Sequence, residues 1–213
     1  MELYFSPFAC SFGARVAIYE AGIENEIQLR AVDLKTHMLD NGQSYLAIHS
    51  VGQVPALLTR EGRWLTENLA ILLYIADTSK VASLAPSEGP TRYELLQWLS
   101  FIGGELHMRV FKALVSPTPN KGAQEAAIAA APKRLGYLNS HLSRSNYLLT
   151  EFSVADAALV AVLNWARYIR MDLGPYPAIR NYYERQLTRL SVSRAIADEM
   201  KLLGTGSGAN AAV

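Results

Sequence analysis

LYFSPFACSFGARVAIYEAGIENEIQLRA, residues 3–31, is a strand, a helix and a strand in succession. Leu3-Tyr4-Phe5 is a short apolar run stopped by Pro7. From Ser11 onward, Phe12, Val16 and Tyr19 recur at helical spacing, and Gly22 supplies a C-terminal stop. Ile27, Leu29 and Ala31 then alternate with Glu26, Gln28 and Arg30, the pattern of a half-buried strand. The unit has about the usual 30-residue length of a β-α-β motif. Within it lies Cys10, the single cysteine of the chain. Two readings stand for it. It is a small buried hydrophobe, or it is a thiol whose pKa the positive end of the first helix lowers.

Downstream, residues 33 to 53 are polar and broken by Asn41-Gly42 and Gly52, with a short helix expected around Tyr45 to Ile48. Ala56-Leu57-Leu58 and Trp64-Leu65 flank the turn Arg60-Glu61-Gly62-Arg63 and predict a hairpin. Leu69, Leu72, Leu73 and Ala76 mark an amphipathic helix. Residues 1–77 therefore order as βαβ, connection, ββα. Residues 78–89 carry Ser, Pro and Gly and form a linker. Beyond them every periodic segment is helical, near 91–115, 123–143, 154–170, 176–187 and 191–202. Ser153 and Asp156 make an S-x-x-D capping box at the third of these. The expected fold class is α+β: a small α/β domain at 1–77, then an all-helical domain at 90–202. Residues 203–213 read as a flexible tail, and the glycines at 204, 206 and 208 lack the flanking strand and helix of a phosphate loop.

Composition narrows the function. The 20 Lys and Arg balance 19 Asp and Glu, and no basic patch points to nucleic acid. One cysteine excludes an internal disulfide and a Cys-rich zinc site, and four dispersed histidines argue against any metal site. No apolar run approaches the roughly 18 residues of a membrane span. Met1-Glu2-Leu3-Tyr4 lacks a signal-peptide start, so a cytoplasmic protein is expected.

Two further stretches carry chemistry. In Gln53-Val54-Pro55 the proline precedes a strand. An ordinary trans bond is the default, whereas a cis bond would leave the N–H and C=O of Val54 free for an extended ligand. Thr66-Glu67-Asn68 lies where a strand ends and a helix begins. Free N–H groups there favour a carboxylate, and Glu67 suits an ammonium group. The alternative is a plain helix cap.

The order of these elements, with "SPFACS", "GQVPAL", "LTENLAILLYIAD", "ELH" and "FSVADAALVAVLNWA", resembles the cytosolic glutathione transferases, in particular the bacterial beta class, over nearly the whole chain. The resemblance implies a thioredoxin-like N-terminal domain and a helical domain with a hydrophobic substrate pocket. It implies glutathione as co-substrate, a small apolar electrophile as second substrate, and a homodimer. It implies that Val54, before a cis Pro55, pairs its backbone with the cysteinyl part of glutathione. Gln53 would contact the tripeptide from the same loop, and Glu67 and Asn68 would hold its γ-glutamyl head. Cys10 would lie beside the glutathione sulfur, with Ser11 and His107 as further groups steadying it. His37, with Lys35 nearby, would meet the glycine carboxylate, and Glu105 would reach the partner subunit's glutathione. Two positions depart from the class: Phe5 stands for a tyrosine on the first strand, and Met108 for a lysine after the histidine. Conjugation of glutathione is the leading expectation. Disulfide exchange through Cys10 and a non-catalytic binding role are the rivals.

Overall fold

The computed structural model describes residues 1–204. β1 (Glu2–Phe5) is the middle of a five-stranded sheet. It runs parallel to β2 (Gln28–Asp33) and antiparallel to β4 (Ala56–Leu58). β5 (Trp64–Thr66) pairs with β4 and β3 (Met38–Leu39) with β2, so the order is β3-β2-β1-β4-β5. A parallel pair needs a crossover, which α1 (Phe12–Ala21) supplies. Gly22 ends α1 in the left-handed conformation at φ 66, as its position predicts.

The pleat sorts side chains by face. Leu3, opposite Leu29 and Leu57, faces the main core with α1 and α2 (Asn68–Asp77). Tyr4 faces a second, smaller cluster with Val32, Leu39, Tyr45, Val54 and Ala56. β2 is thus covered on both faces, with Val32 rather than Ala31 its most buried residue. β3 is a strand that the polar stretch 33–53 did not predict. It has two residues, pairing Val32 with Leu39 and Asp33 with Met38, and its other side is tied by a Met38–Ser44 bridge and by the Leu39 N–H donating to the Gln43 carbonyl at 2.9 Å. The short helix appears as a 3-10 turn at Tyr45–Ala47.

Helices follow as a thioredoxin-like sheet domain gives way to a helical one. α3 (Gly89–Ser100) runs into Phe101–Phe111, which is wound more widely with i→i+5 hydrogen bonding, and then into α4 (Lys112–Leu114). The expected single helix 91–115 is therefore three segments with two windings. Gly103 and Gly104 sit in the wide stretch, and a Cβ on either would meet nothing within 4 Å. α5 (Lys121–Leu142), α6 (Val154–Tyr168), α7 (Pro177–Leu187) and α8 (Leu190–Gly204) complete the chain. Leu203 and Gly204 belong to α8, and the remainder of the expected tail lies outside the described residues.

α6 is the central helix of this half. Its capping box is formed: Ser153 accepts from Ala155, and Asp156 accepts from the Ser153 N–H at 3.0 Å and the Tyr182 hydroxyl at 2.9 Å. α6 packs across α1, where Gly13 lets the backbones approach: an added Cβ would stand 3.0 Å from the Ala157 carbonyl oxygen. α8 returns to the sheet half and packs on α1 as well. Arg189, just before it, grips Glu20 with two nitrogens at 2.6 and 2.7 Å. Among the described residues no helix is long and apolar enough to cross a membrane.

Candidate active site at the junction of the two halves

Two adjoining cavities, about 390 and 750 Å³, open where the sheet half meets the helices, and Cys10, Gln53, Val54 and His107 line both. The smaller also has Pro55, Glu67 and Asn68 in its wall, with Leu99, Gly103 and Met108 opposite. The larger has Lys35 and His37 at one side and Lys112, Val115 and Trp165 at another. Nine of the sequence-predicted residues, Pro55 among them, are thus brought together from the loop after β1, the β2–β3 turn, the loop before β4, the start of α2 and the wide-wound helix.

The Val54–Pro55 peptide is cis. Glu67 precedes α2 at φ 68, and its side chain makes no capping bond. The plain-cap reading is therefore not realised, and the first N–H groups of α2 are left for another acceptor. Asn68 Oδ1 is buried without a hydrogen-bond partner, as is His37 Nδ1. An ammonium donor at Asn68, in the smaller cavity, and a polar ligand atom at His37, in the larger, would satisfy both, so the adjoining cavities fit an amino-acid head in one and a second polar group in the other. Gly52 must lack a side chain here: at φ +71, its Cβ would meet the His37 ring at 2.7 Å.

Of the two readings of the thiol, burial favours the first. Cys10 lies just before Ser11, the N-cap of α1, and burial pushes its pKa up to about 11. The Lys112 charge and the N–H groups of Cys10 and Ser11 pull downward but do not overcome the lost hydration. The thiol is protonated and donates to the Val54 carbonyl, with sulfur and oxygen 3.0 Å apart. The dipole effect expected from sequence loses to desolvation.

Ser11 does not join the cleft, and Glu105, expected at the partner subunit's glutathione, lies outside it. Ser11 is fully buried, donating to the Ser6 carbonyl at 3.1 Å and accepting from its N–H at 3.3 Å. Glu105 lines neither cavity and accepts from Arg134 Nε of its own chain at 2.7 Å. His107 does join. Its ring tilts against Trp165 with centroids 4.7 Å apart, and burial, followed by the nearby Lys112 charge, lowers its pKa to about 4. It is a neutral imidazole at pH 7.

Several residues of the site escaped the sequence reading. Lys112 is five residues after His107, out of phase in an α-helix. In the wide winding the Lys112 N–H bonds to the His107 carbonyl, which stacks the two residues one turn apart. Trp165, which its spacing marks as core, is buried but also walls the larger cavity. Its indole N–H donates to the Phe8 carbonyl at 2.7 Å. Glu199 of α8 accepts from the Phe8 N–H at 2.6 Å and from Arg15 Nε at 2.8 Å. Phe8 has φ 56, a costly conformation for an aromatic residue, and both its backbone groups are held by the helical half. His49 also reaches the smaller cavity. Among the described residues no group of three or more His, Cys, Asp or Glu is placed to hold a metal ion.

Comparison with known proteins fits this geometry. The family model for the glutathione S-transferase N-terminal domain matches residues 5–78, and that for the C-terminal domain matches 121–185. Glutathione S-transferase GstA of Escherichia coli O157:H7 is 34% identical over 201 residues, covering 93% of this chain and 98% of its own. A sphingomonad glutathione S-transferase solved with glutathione superposes with a TM-score of 0.87 at 38% identity, covering 94% of this chain and 99% of its own. The beta-class enzyme of Sphingomonas chungbukensis gives 0.86 at 39% identity, covering 93% and 98%. A sheet half of this order, a helical half packed across it and matches along both place the chain in the bacterial branch of the glutathione S-transferase family.

Proposed function

We propose that this chain is a glutathione transferase that joins the tripeptide's sulfur to a small electrophile with an apolar body. The observation that carries the reading is a single one. Gln53, Val54, Glu67 and Asn68 share one cavity wall with Cys10 and His107, and Asn68 Oδ1 waits there without a partner.

In this reading residues 1–77 hold glutathione, 78–89 connect, and 90–202 supply the apolar wall. The free N–H groups of α2 take the γ-glutamyl carboxylate, and Glu67 and Asn68 take its ammonium. Val54 pairs its N–H and C=O with the cysteinyl residue, and Gln53 contacts the tripeptide beside it. Lys35 and His37 face the glycine carboxylate. The tripeptide supplies the nucleophile, and these contacts fix its sulfur near the electrophile. Cys10, a protonated thiol, turns its S–H toward that sulfur and favours the thiolate as a hydrogen-bond donor. His107, neutral, adds a second polar group. The protein acts as a homodimer in the cytoplasm, in detoxification.

Disulfide exchange through Cys10 needs the opposite thiol. The attacking form is a thiolate, and a group at about 11 is protonated at neutral pH. The test is calorimetric titration with glutathione, then turnover of 1-chloro-2,4-dinitrobenzene and of a mixed glutathione disulfide by the parent and Cys10→Ser. Conjugation by both proteins, with Cys10→Ser within about tenfold of the parent because a hydroxyl also donates, is expected. No glutathione binding and no conjugation would remove the reading. Disulfide reduction lost in Cys10→Ser, with no conjugation by the parent, would favour the redox rival.

A further inference from the structure

The larger cavity carries two lysines and two histidines in its wall and no carboxylate. Lys35 and His37 lie together on the turn between β2 and β3, the end assigned above to the glycine carboxylate. The other end of glutathione is met by α2. Both carboxylates of the tripeptide are then answered, and Lys112 is left over. It lines the same cavity from the helical half, one wide turn beyond His107. Its ammonium has no carboxylate within 4 Å among the described residues. The same cavity offers apolar and aromatic surface from Val54, Val115, Pro117 and Trp165, beside the polar Ser116 and Thr118.

Lys112 is exposed, so a neutral substrate filling this space gains nothing from its ammonium. A substrate bearing an anionic group restores a partner at the same point. Resting on the transferase reading, we propose that the second substrate is an electrophile with a planar apolar body and a carboxylate, and that Lys112 selects it. The carboxylate meets the Lys112 ammonium, the ring lies against Trp165 and Val115, and the electrophilic carbon faces the shared wall of Cys10 and His107. With an aryl chloride the balance is simple. The sulfur–carbon bond forms, the carbon–chlorine bond breaks, and chloride and the thiol proton leave to water.

The test separates binding from turnover. Binding of 4-methyl-3-nitrobenzoate, which has no leaving group, is compared with binding of its methyl ester, with and without S-methylglutathione. Lys112 is solvent-exposed, so its ion pair is partly screened, and a preference of about fivefold for the acid is expected. Lys112→Gln abolishes the preference, Lys112→Arg keeps it, and 0.5 M salt, with a Debye length of about 4 Å, weakens it. With glutathione, the ratio of kcat/KM for 4-chloro-3-nitrobenzoate over its methyl ester falls by the same factor in Lys112→Gln. Equal or tighter binding of the ester, or a ratio that Lys112→Gln leaves unchanged, overturns the proposal. Absence of turnover for both compounds while the binding preference persists sinks the transferase reading instead and leaves the anion site standing.

Discussion

Gly13→Ala tests the packing that brings the two halves of the site together. In an ordinary helix interior the change stabilises by about 0.8–1 kcal/mol, because alanine loses less backbone entropy. At Gly13 the new methyl would stand 3.0 Å from the Ala157 oxygen, 3.2 Å from Ala158 Cα and 3.3 Å from the Ala157 carbonyl carbon. All three are backbone atoms of α6, a helix buried along nearly its whole length, so none can swing away as a side chain would. Overpacking of this kind costs about 1–3 kcal/mol. With the near-maximal case expected for a backbone clash, the net loss is about 1–2 kcal/mol, or about 3–6 °C in Tm for a chain of this size. Gly136→Ala in α5 is the control of opposite sign, because its Cβ would meet nothing within 4 Å. Urea unfolding of parent and both variants reads the difference directly. The separation also shifts Cys10, ahead of α1, from Ala158, Ala161 and Val162 of the cavity wall, so KM for the electrophile rises. A Gly13→Ala protein as stable as Gly136→Ala would refute the close-approach argument.

Trp165→Phe keeps a ring against His107 but removes the donor to Phe8, leaving a partly buried carbonyl without that partner. A loss of about 1–3 kcal/mol in urea unfolding is expected, and an unchanged midpoint would show that the bond contributes nothing. His107 gives a pH signature. Its folded pKa of about 4 lies below the ordinary 6.5 of a histidine, so the unfolded chain takes up the proton first and stability is lost as pH falls from 6.5 toward 4. Glu199, raised to about 7, and Asp156, raised to about 6, have the opposite slope as pH falls through the same range. The difference in Tm between parent and His107→Phe across pH 4–6.5 isolates the histidine. It should move in favour of the variant as the pH drops, and a constant difference would show that the ring is not kept neutral by the fold.

The elements with strong periodicity were legible from residues alone. Leu3 to Phe5, the helix ending at Gly22, the hairpin around Gly62 and the Ser153–Asp156 cap all fall where pattern and turn chemistry put them. β3 was not, because two residues are too few to carry an alternation of their own, and they are ordered by pairing with β2 and with the turn at Gln43 and Ser44. The wide winding at Phe101–Phe111 was not, because a 3.6-residue period assigns Lys112 to a different face from His107. The state of Cys10 stayed open between two readings for a related reason. A position near a helix start is visible in sequence, whereas the desolvation that overrides it comes from chain segments far away. Phe8, Trp165 and Glu199 meet over separations of more than 150 residues, and no local signal marks such a meeting.

The grip on Phe8 has a consequence for how this protein can be cut or recombined. The bend that presents Cys10 is fastened from outside its own domain, by an indole and a carboxylate lying far along the chain. A thioredoxin-like fragment made alone would have to carry that bend without its fasteners. A hybrid that borrowed another relative's helices would keep the shape of the bend only if the donor brought matching groups.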